Sequence, residues 1–242
     1  MLESVTPMLS FLGIGAQKAG TTWLYSQLRQ HPQLAFPLTK EAHFWNRPHD
    51  AVGIQSYLEQ FAAVPISGEI TPAYAILPIE IIREIYACNP RLRLIYLIRN
   101  PIERAWSSAL MALQRAEMTI DEASDAWFSD HFHSTGSVKR GDYQSCLQNW
   151  RTVFPDEQLL VLRFEQIVNE PETLLNRCFQ HLGVSLYDSE LLQRQGCRER
   201  VFAGLGHPLR LSLKPVLQAI YHERIDDLAR YLTMDLDSWK IF

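Results

Sequence analysis

Residues 94–98 read Leu-Ile-Tyr-Leu-Ile, five apolar side chains in succession. A strand sends successive side chains to opposite faces, so such a run is stable only where both faces are covered. Leu92 to Ile98 is therefore read as a central strand of a parallel sheet with helices above and below it. Arg99-Asn100-Pro101 follows at once, where Asn100 can cap a helix and Pro101 can occupy its first turn. Ile102, Ala105, Trp106, Ala109, Leu110 and Leu113 then fall on one helical face.

The same alternation recurs on either side. Phe11 to Gly15 is a short apolar strand that enters a turn, and a helix runs from Thr21 to about Gln30, where His31-Pro32 stops it. Pro78 opens a helix in which Ile81, Ile82, Ile85 and Tyr86 recur at helical spacing. Tyr143, Leu147 and Trp150 share a helix, Gln158 to Phe164 is a strand, and Leu174, Leu175, Phe179 and Leu182 lie on a helix ended by Gly183. No repeat or low-complexity linker interrupts the pattern. The expectation is a three-layer α/β/α fold with a mostly parallel central sheet, residues 1–242 forming one domain, and ligands beyond the carboxyl ends of the strands.

A chain of this length with 47% hydrophobic residues can bury a substantial core, and its formal charge of −4 argues against a protein that coats nucleic acid. Cys88, Cys146, Cys178 and Cys197 show no C-x-x-C spacing, so neither structural zinc nor a redox dithiol is signalled, and a reducing compartment suits them. The apolar run from Met8 to Ile14 is too short to span a bilayer and Glu3 stands where a leader would be basic, so the chain is expected to be cytoplasmic and untethered.

The first strand leads into Gly15-Ala16-Gln17-Lys18-Ala19-Gly20-Thr21-Thr22. Glycines let backbone approach an anion, the N–H groups of the following helix donate to it, and the helix dipole favours its charge. A nucleoside-triphosphatase loop would put lysine directly after the second glycine. Here Thr21 holds that place and the lysine has moved inside the loop, to Lys18. The fold expectation is accordingly a P-loop-containing one with an unusual phosphate loop.

Lys18-Ala19-Gly20-Thr21-Thr22 resembles the 5′-phosphosulfate loop of the sulfotransferases that use 3′-phosphoadenosine-5′-phosphosulfate (PAPS). Lys40-Glu41-Ala42-His43-Phe44-Trp45 and Glu69-Ile70-Thr71-Pro72-Ala73-Tyr74 are similar to segments of the heparan-sulfate branch of that family. Arg99-Asn100-Pro101, Arg104-Ala105 and Ser107 resemble its 3′-phosphate site, and Gly141-Asp142-Tyr143 through the strand at Leu159 to Phe164 continue the likeness. The resemblance covers roughly residues 10 to 184 and implies transfer of a sulfuryl group from PAPS, with 3′-phosphoadenosine-5′-phosphate (PAP) as product and no metal required.

The resemblance assigns roles. Lys18 would stabilise the bridging oxygen as the S–O bond breaks, with Ala19, Gly20, Thr21 and Thr22 around the 5′-phosphate. Arg99 and Ser107 would clamp the 3′-phosphate, and Arg198 and Arg200 are further candidates for it. Arg104 fits a structural ion pair better than a ligand contact. Glu41 and His43 are both candidate general bases; residues two apart on extended backbone face one side, and the heparan-sulfate likeness favours Glu41. Lys40 could bridge donor and acceptor. Trp23, Trp106 and Trp150 read as core, and His131 with His133 lack a third ligand for a metal.

Two other functions use the same loop: a nucleotide or nucleoside kinase, and a non-catalytic protein that binds PAP. Arg99 stands where a kinase would hold magnesium with an aspartate, and a pure binder has no use for Glu41 and His43 beside Lys18. Acceptor choice falls to Phe44–Tyr74 and Gln114–Tyr143, with the polar stretch Asp130 to Ser137 as a candidate lid. These segments carry no strong basic stripe, which favours a sugar, lipid headgroup or small-molecule alcohol over a polyanionic glycan.

Overall fold

In a computed structural model that describes residues 9–61, 66–199, 201 and 206–241, the strands are β1 (Leu9–Gly15), β2 (Ser67–Ile70), β3 (Arg93–Ile98) and β4 (Leu159–Arg163). They form one sheet in the order β2-β1-β3-β4, with every pairing parallel. The helices are α1 (Thr21–Leu28), α2 (Ala51–Glu59), α3 (Ile79–Cys88), α4 (Pro101–Arg115), α5 (Asp125–His133), α6 (Thr135–Gly141), α7 (Tyr143–Arg151), α8 (Glu165–Asn169), α9 (Pro171–Leu182), α10 (Ser189–Arg194) and α11 (Lys214–Leu232).

Leu94 to Ile98 are all buried, which an alternating strand achieves only with both faces covered, so the central position expected for β3 is the one it takes. Asn100 caps α4 through Oδ1, which accepts from the Ile102 N–H at 3.0 Å, and the apolar face from Ile102 to Leu113 is buried as the periodicity predicts. The first helix is shorter than expected, ending at Leu28 with Arg29 as its cap. His31 does not merely stop it. Its ring stacks on Tyr187 at 4.6 Å and its Nε2 lies 3.0 Å from the Ser185 carbonyl, which ties this turn to the far end of the chain.

The polar stretch from Asp130 to Ser137 is not loop: it belongs to α5 and α6, capped in turn by the hydroxyls of Ser124 and Ser134. Phe128 and Phe132 are fully buried and supply the apolar anchor that its many polar residues hide. Arg104 is fully buried beneath this layer and donates to the Ser137 carbonyl at 2.8 Å, with the Tyr221 hydroxyl of α11 at 3.4 Å. It ties α4 to α6 and α11, a structural role without the carboxylate partner that an ion pair would need. Trp23, Trp106 and Trp150 are all core.

Among the described residues no helix is long and apolar enough to cross a membrane.

Candidate functional site

The tips of the four strands carry the site. At the tip of β1 the chain turns through residues 16–20 into α1, with Lys18 at φ 68° and Gly20 at φ 90°. A left-handed conformation costs a residue with a Cβ about 1–2 kcal/mol, so Lys18 is held in it by its surroundings. Gly20 has no such option, because a Cβ there would stand 2.4 Å from Ile167 Cδ1 and 3.0 Å from Phe164. The loop is thereby pressed against α8, and only glycine fits.

Gly20 is also the N-cap of α1 and offers no side-chain acceptor, nor is any acidic residue present in the first turn. Helix starts normally satisfy their orphan N–H groups with such partners. Here the donors at Thr21 and Thr22, on a helix of 8 residues, face the loop mouth with the dipole's positive end behind them. Thr21 is buried and Thr22 exposed, so their hydroxyls border the mouth at different depths. Ala19 is fully buried and its N–H donates to the Ala16 carbonyl at 3.2 Å. It shapes the loop from within and presents no donor to a ligand.

Cations gather at this mouth. Lys18 is held below its usual lysine range, first by burial and then by the positive charges of Arg99 and Arg115. An anion placed among the three would relieve that repulsion. Arg99, at the tip of β3, donates to the Lys18 carbonyl at 3.3 Å, lies over the Phe164 ring at 4.4 Å, and pairs with Glu103 at 2.8 Å. Ser107 is half-buried one helical turn beyond Glu103, so Arg99, Glu103 and Ser107 line one face.

At the tip of β2 the segment 40–45 packs against Thr71 and Tyr74. Glu41 Oε1 accepts from Lys40 Nζ at 3.1 Å, and Glu41 Oε2 stands 3.2 Å from His43 Nε2. Both candidate bases therefore sit in one cluster, though His43 reaches it from a left-handed backbone, φ 55°, rather than from an extended one. The backbone here is tied down from below by Glu69, whose buried carboxyl accepts from the hydroxyls of Tyr57 and Tyr74 at 2.7 Å each and of Thr71 at 2.6 Å. Tyr74 Oη in turn accepts from the Phe44 N–H at 3.0 Å and the Trp45 N–H at 3.4 Å, and Thr71 Oγ1 from the His43 N–H at 3.4 Å. Burial and the neighbouring Glu69 push both phenols well above their usual range, so they stay protonated donors. The motif from Glu69 to Tyr74 stands out in the sequence, but nothing there says that it supports residues 43–45.

Of the remaining candidates, Arg198 forks onto Glu172 of α9 at 2.8 and 2.9 Å, a bidentate pair that a phosphate would have to displace. Arg200 lies outside the described residues. His131 faces Ser108 across α4 at 3.3 Å while His133 is exposed on the far side of α5, so the two do not converge. Among the described residues no three metal-ligating side chains come together. Beside the loop, a cavity of about 430 Å³ is bordered by Gln17, by Ser108 and Arg115 of α4, by His131 of α5 and by Arg140 of α6. The sequence pointed to Gln114–Tyr143 as a whole but to neither arginine in it.

A family model described as a sulfotransferase domain matches residues 10–197. The chain belongs to the sulfotransferase family. Heparan sulfate glucosamine 3-O-sulfotransferase 6 of Mus musculus is 28% identical over 185 residues, 71% of this chain and 51% of that protein. Carbohydrate sulfotransferase 15 of the same species is 27% identical over 72% of this chain and 43% of its own. The chain thus spans about half the length of the curated relatives it matches. A solved sulfotransferase from Alicyclobacillus acidocaldarius superposes with a TM-score of 0.73 at 24% identity, covering 96% of this chain and 99% of that one. A mouse sulfotransferase in complex with PAP gives 0.53 at 20% identity, over 78% and 63%. The chain carries a sulfotransferase domain on the α/β fold of the solved sulfotransferases, and neither the kinase nor the binding-only reading gains support.

Proposed function

We propose that the chain, as one domain over residues 1–242, moves the sulfuryl group of PAPS to a hydroxyl or amine of a small-molecule, lipid or carbohydrate acceptor by in-line displacement, without a metal. The observation that carries this reading is the uncapped start of α1 under a loop ringed by Lys18, Arg99 and Arg115. Relatives named for heparan sulfate and for carbohydrate support the acceptor range.

In this reading the N–H groups and hydroxyls of Thr21 and Thr22, with the Gly20 backbone, hold the 5′-phosphate, and Arg99 swings from Glu103 to share the 3′-phosphate with Ser107. The acceptor oxygen attacks sulfur while the bond from sulfur to the bridging oxygen breaks. The electron pair of that bond goes to the 5′-phosphate, where Lys18 offsets the charge, and the acceptor's proton goes to Glu41. His43, at 3.2 Å from Glu41, is the alternative base or its partner. One lysine and a ring of donors suffice because the donor's 5′ end carries a single phosphate and a sulfate, less charge than a triphosphate.

Calorimetry with PAP, and turnover of PAPS by wild type and Glu41→Gln, test the reading. The expected result is PAP binding without magnesium in both proteins, and turnover reduced about 10²–10⁴-fold in the variant, the usual worth of a positioned base. Absence of PAP affinity sinks the donor site; an active Glu41→Gln with an inactive His43→Gln moves the base to the histidine.

A further inference from the structure

We propose that the acceptor is a small alcohol bearing one oxyanion, a carboxylate or a sulfate or phosphate ester, which Arg115 and Arg140 hold in the cavity beside Gln17. The inference rests on the PAPS reading above and names the acceptor class for that site.

Both arginines border the cavity without a carboxylate beside them. Among the described residues six other arginines, at positions 99, 151, 194, 198, 210 and 230, pair with a carboxylate within 3.5 Å. Arg115 and Arg140 are among the arginines that do not, and of those they are the two that share one cavity. Arg140 is half-buried, donates from one Nη to the Gly136 carbonyl at 2.9 Å, and leaves its buried Nε without a partner. An arginine carries several N–H donors, so beyond the one given to Gly136 the Arg140 guanidinium has donors to offer a ligand in the cavity it borders. Among the described residues no aspartate or glutamate borders the cavity; serine hydroxyls, the Gln17 amide and His131 complete its polar lining.

The position matches the chemistry. Gln17 precedes Lys18 directly, so the cavity opens beside the residue assigned to the breaking S–O bond, and the Arg115 charge is felt at Lys18 itself. An acceptor anchored by its anion on Arg115 and Arg140 would direct its hydroxyl toward the sulfur. A volume of about 430 Å³ suits a small molecule. Two arginines line the cavity, which fits one anionic group.

The deciding measurement does not need the acceptor's identity. PAP-saturated wild type, Arg115→Gln and Arg140→Gln are titrated with inorganic sulfate by calorimetry. The expected result is a sulfate site in wild type that weakens at least about ten-fold in each variant, the loss of one charge-assisted pair, with PAP affinity unchanged in Arg140→Gln. No sulfate site, or one equally strong in the variants, overturns the proposal, because the ion then sits where the donor's sulfuryl group would. Should Arg140→Gln fail to fold, Arg140→Lys keeps the charge, loses the fork and must still weaken sulfate.

A second arm compares turnover of matched alcohols, 4-hydroxyphenylacetate against its amide and phenyl glucuronide against phenyl glucoside. Anionic members are expected to lead, with the acceptor KM raised ten-fold or more in Arg140→Gln while kcat and the PAPS KM hold. Preference for the neutral members, for a heparan-type oligosaccharide, or a change confined to the PAPS KM overturns the proposal. Failure of PAP to bind would instead sink the donor reading on which it rests.

Discussion

Tyr74→Phe removes a single oxygen and tests whether the Glu69 cluster holds the catalytic segment in place. That oxygen donates to the Glu69 carboxyl at 2.7 Å and accepts from two backbone N–H groups, of Phe44 and Trp45. A bond to a charged acceptor is worth about 1.5–3 kcal/mol, and each N–H left without a partner adds about 1 kcal/mol at the low end. Allowing for partial relaxation, the expected loss is about 3 kcal/mol, or roughly 6–12 °C in Tm for a domain of this size. The phosphate loop belongs to a different strand tip, so PAP affinity should stay within two-fold of wild type. The peptide units of residues 43–45 lose their support, and kcat should fall ten-fold or more with little change in the PAPS KM. Thermal melts, PAP calorimetry and steady-state turnover give the three readouts. A variant that melts within 2 °C of wild type and turns over normally would refute the assignment; a parallel loss of PAP affinity would mean general unfolding.

Gly20→Ala should weaken PAP at least ten-fold, because the new Cβ meets Ile167 Cδ1 at 2.4 Å and the φ of 90° is unfavourable for it; adding Ile167→Ala should restore stability in part and leave the affinity low. Arg198→Ala should leave PAP affinity unchanged, since that guanidinium is committed to Glu172; ten-fold weaker binding in calorimetry would return it to the phosphate site. His131 and His181 are both held below the ordinary histidine value of 6.5, by burial first and then by Arg104 and Arg93 respectively. Their folded values lie under the unfolded one, so the stability they contribute is complete above about pH 6.5 and is lost as pH falls through the folded values. Urea midpoints should therefore drop between pH 7.5 and 5.5, less so in His181→Gln, and a flat midpoint would count against this.

The fold was legible where local pattern and tertiary demand agree. The run at Leu94–Ile98 demanded cover on both faces, and β3 lies inside the sheet with both faces buried. Asn100-Pro101 predicted the start of α4 to the residue, because capping is settled within three positions of chain. The helices of the stretch from Asp130 to Ser137 were not legible for the converse reason. It is mostly polar, and the burial of Phe128 and Phe132 that anchors it depends on α4 and on residues near position 210, distant in sequence. His31 is a similar case, since its stacking partner Tyr187 could not be paired with it from sequence.

The candidate site divides along the same line. The turn from β1 into α1 was legible because its pattern is contained in eight consecutive residues, and the proximity of Glu41 and His43 because they are two apart. The support beneath them was not: Tyr57, Glu69 and Tyr74 come from α2, β2 and the turn after it, and only the parallel pairing of β1 with β2 brings them under residues 43–45. The cavity arginines did leave a trace. Arg99, Arg194 and Arg230 each have an acidic residue three or four positions away and pair with it, whereas Arg115 and Arg140 have none at those spacings. An arginine on a helix without such a neighbour must find its counter-charge elsewhere in the fold, in solvent or in a ligand. Arg115 is exposed at the cavity rim and solvent could serve it, but the buried Nε of Arg140 has no access to bulk water. Because Arg115 also bears on Lys18 while Arg140 borders the cavity, Arg140 is the sharper test of an anionic acceptor.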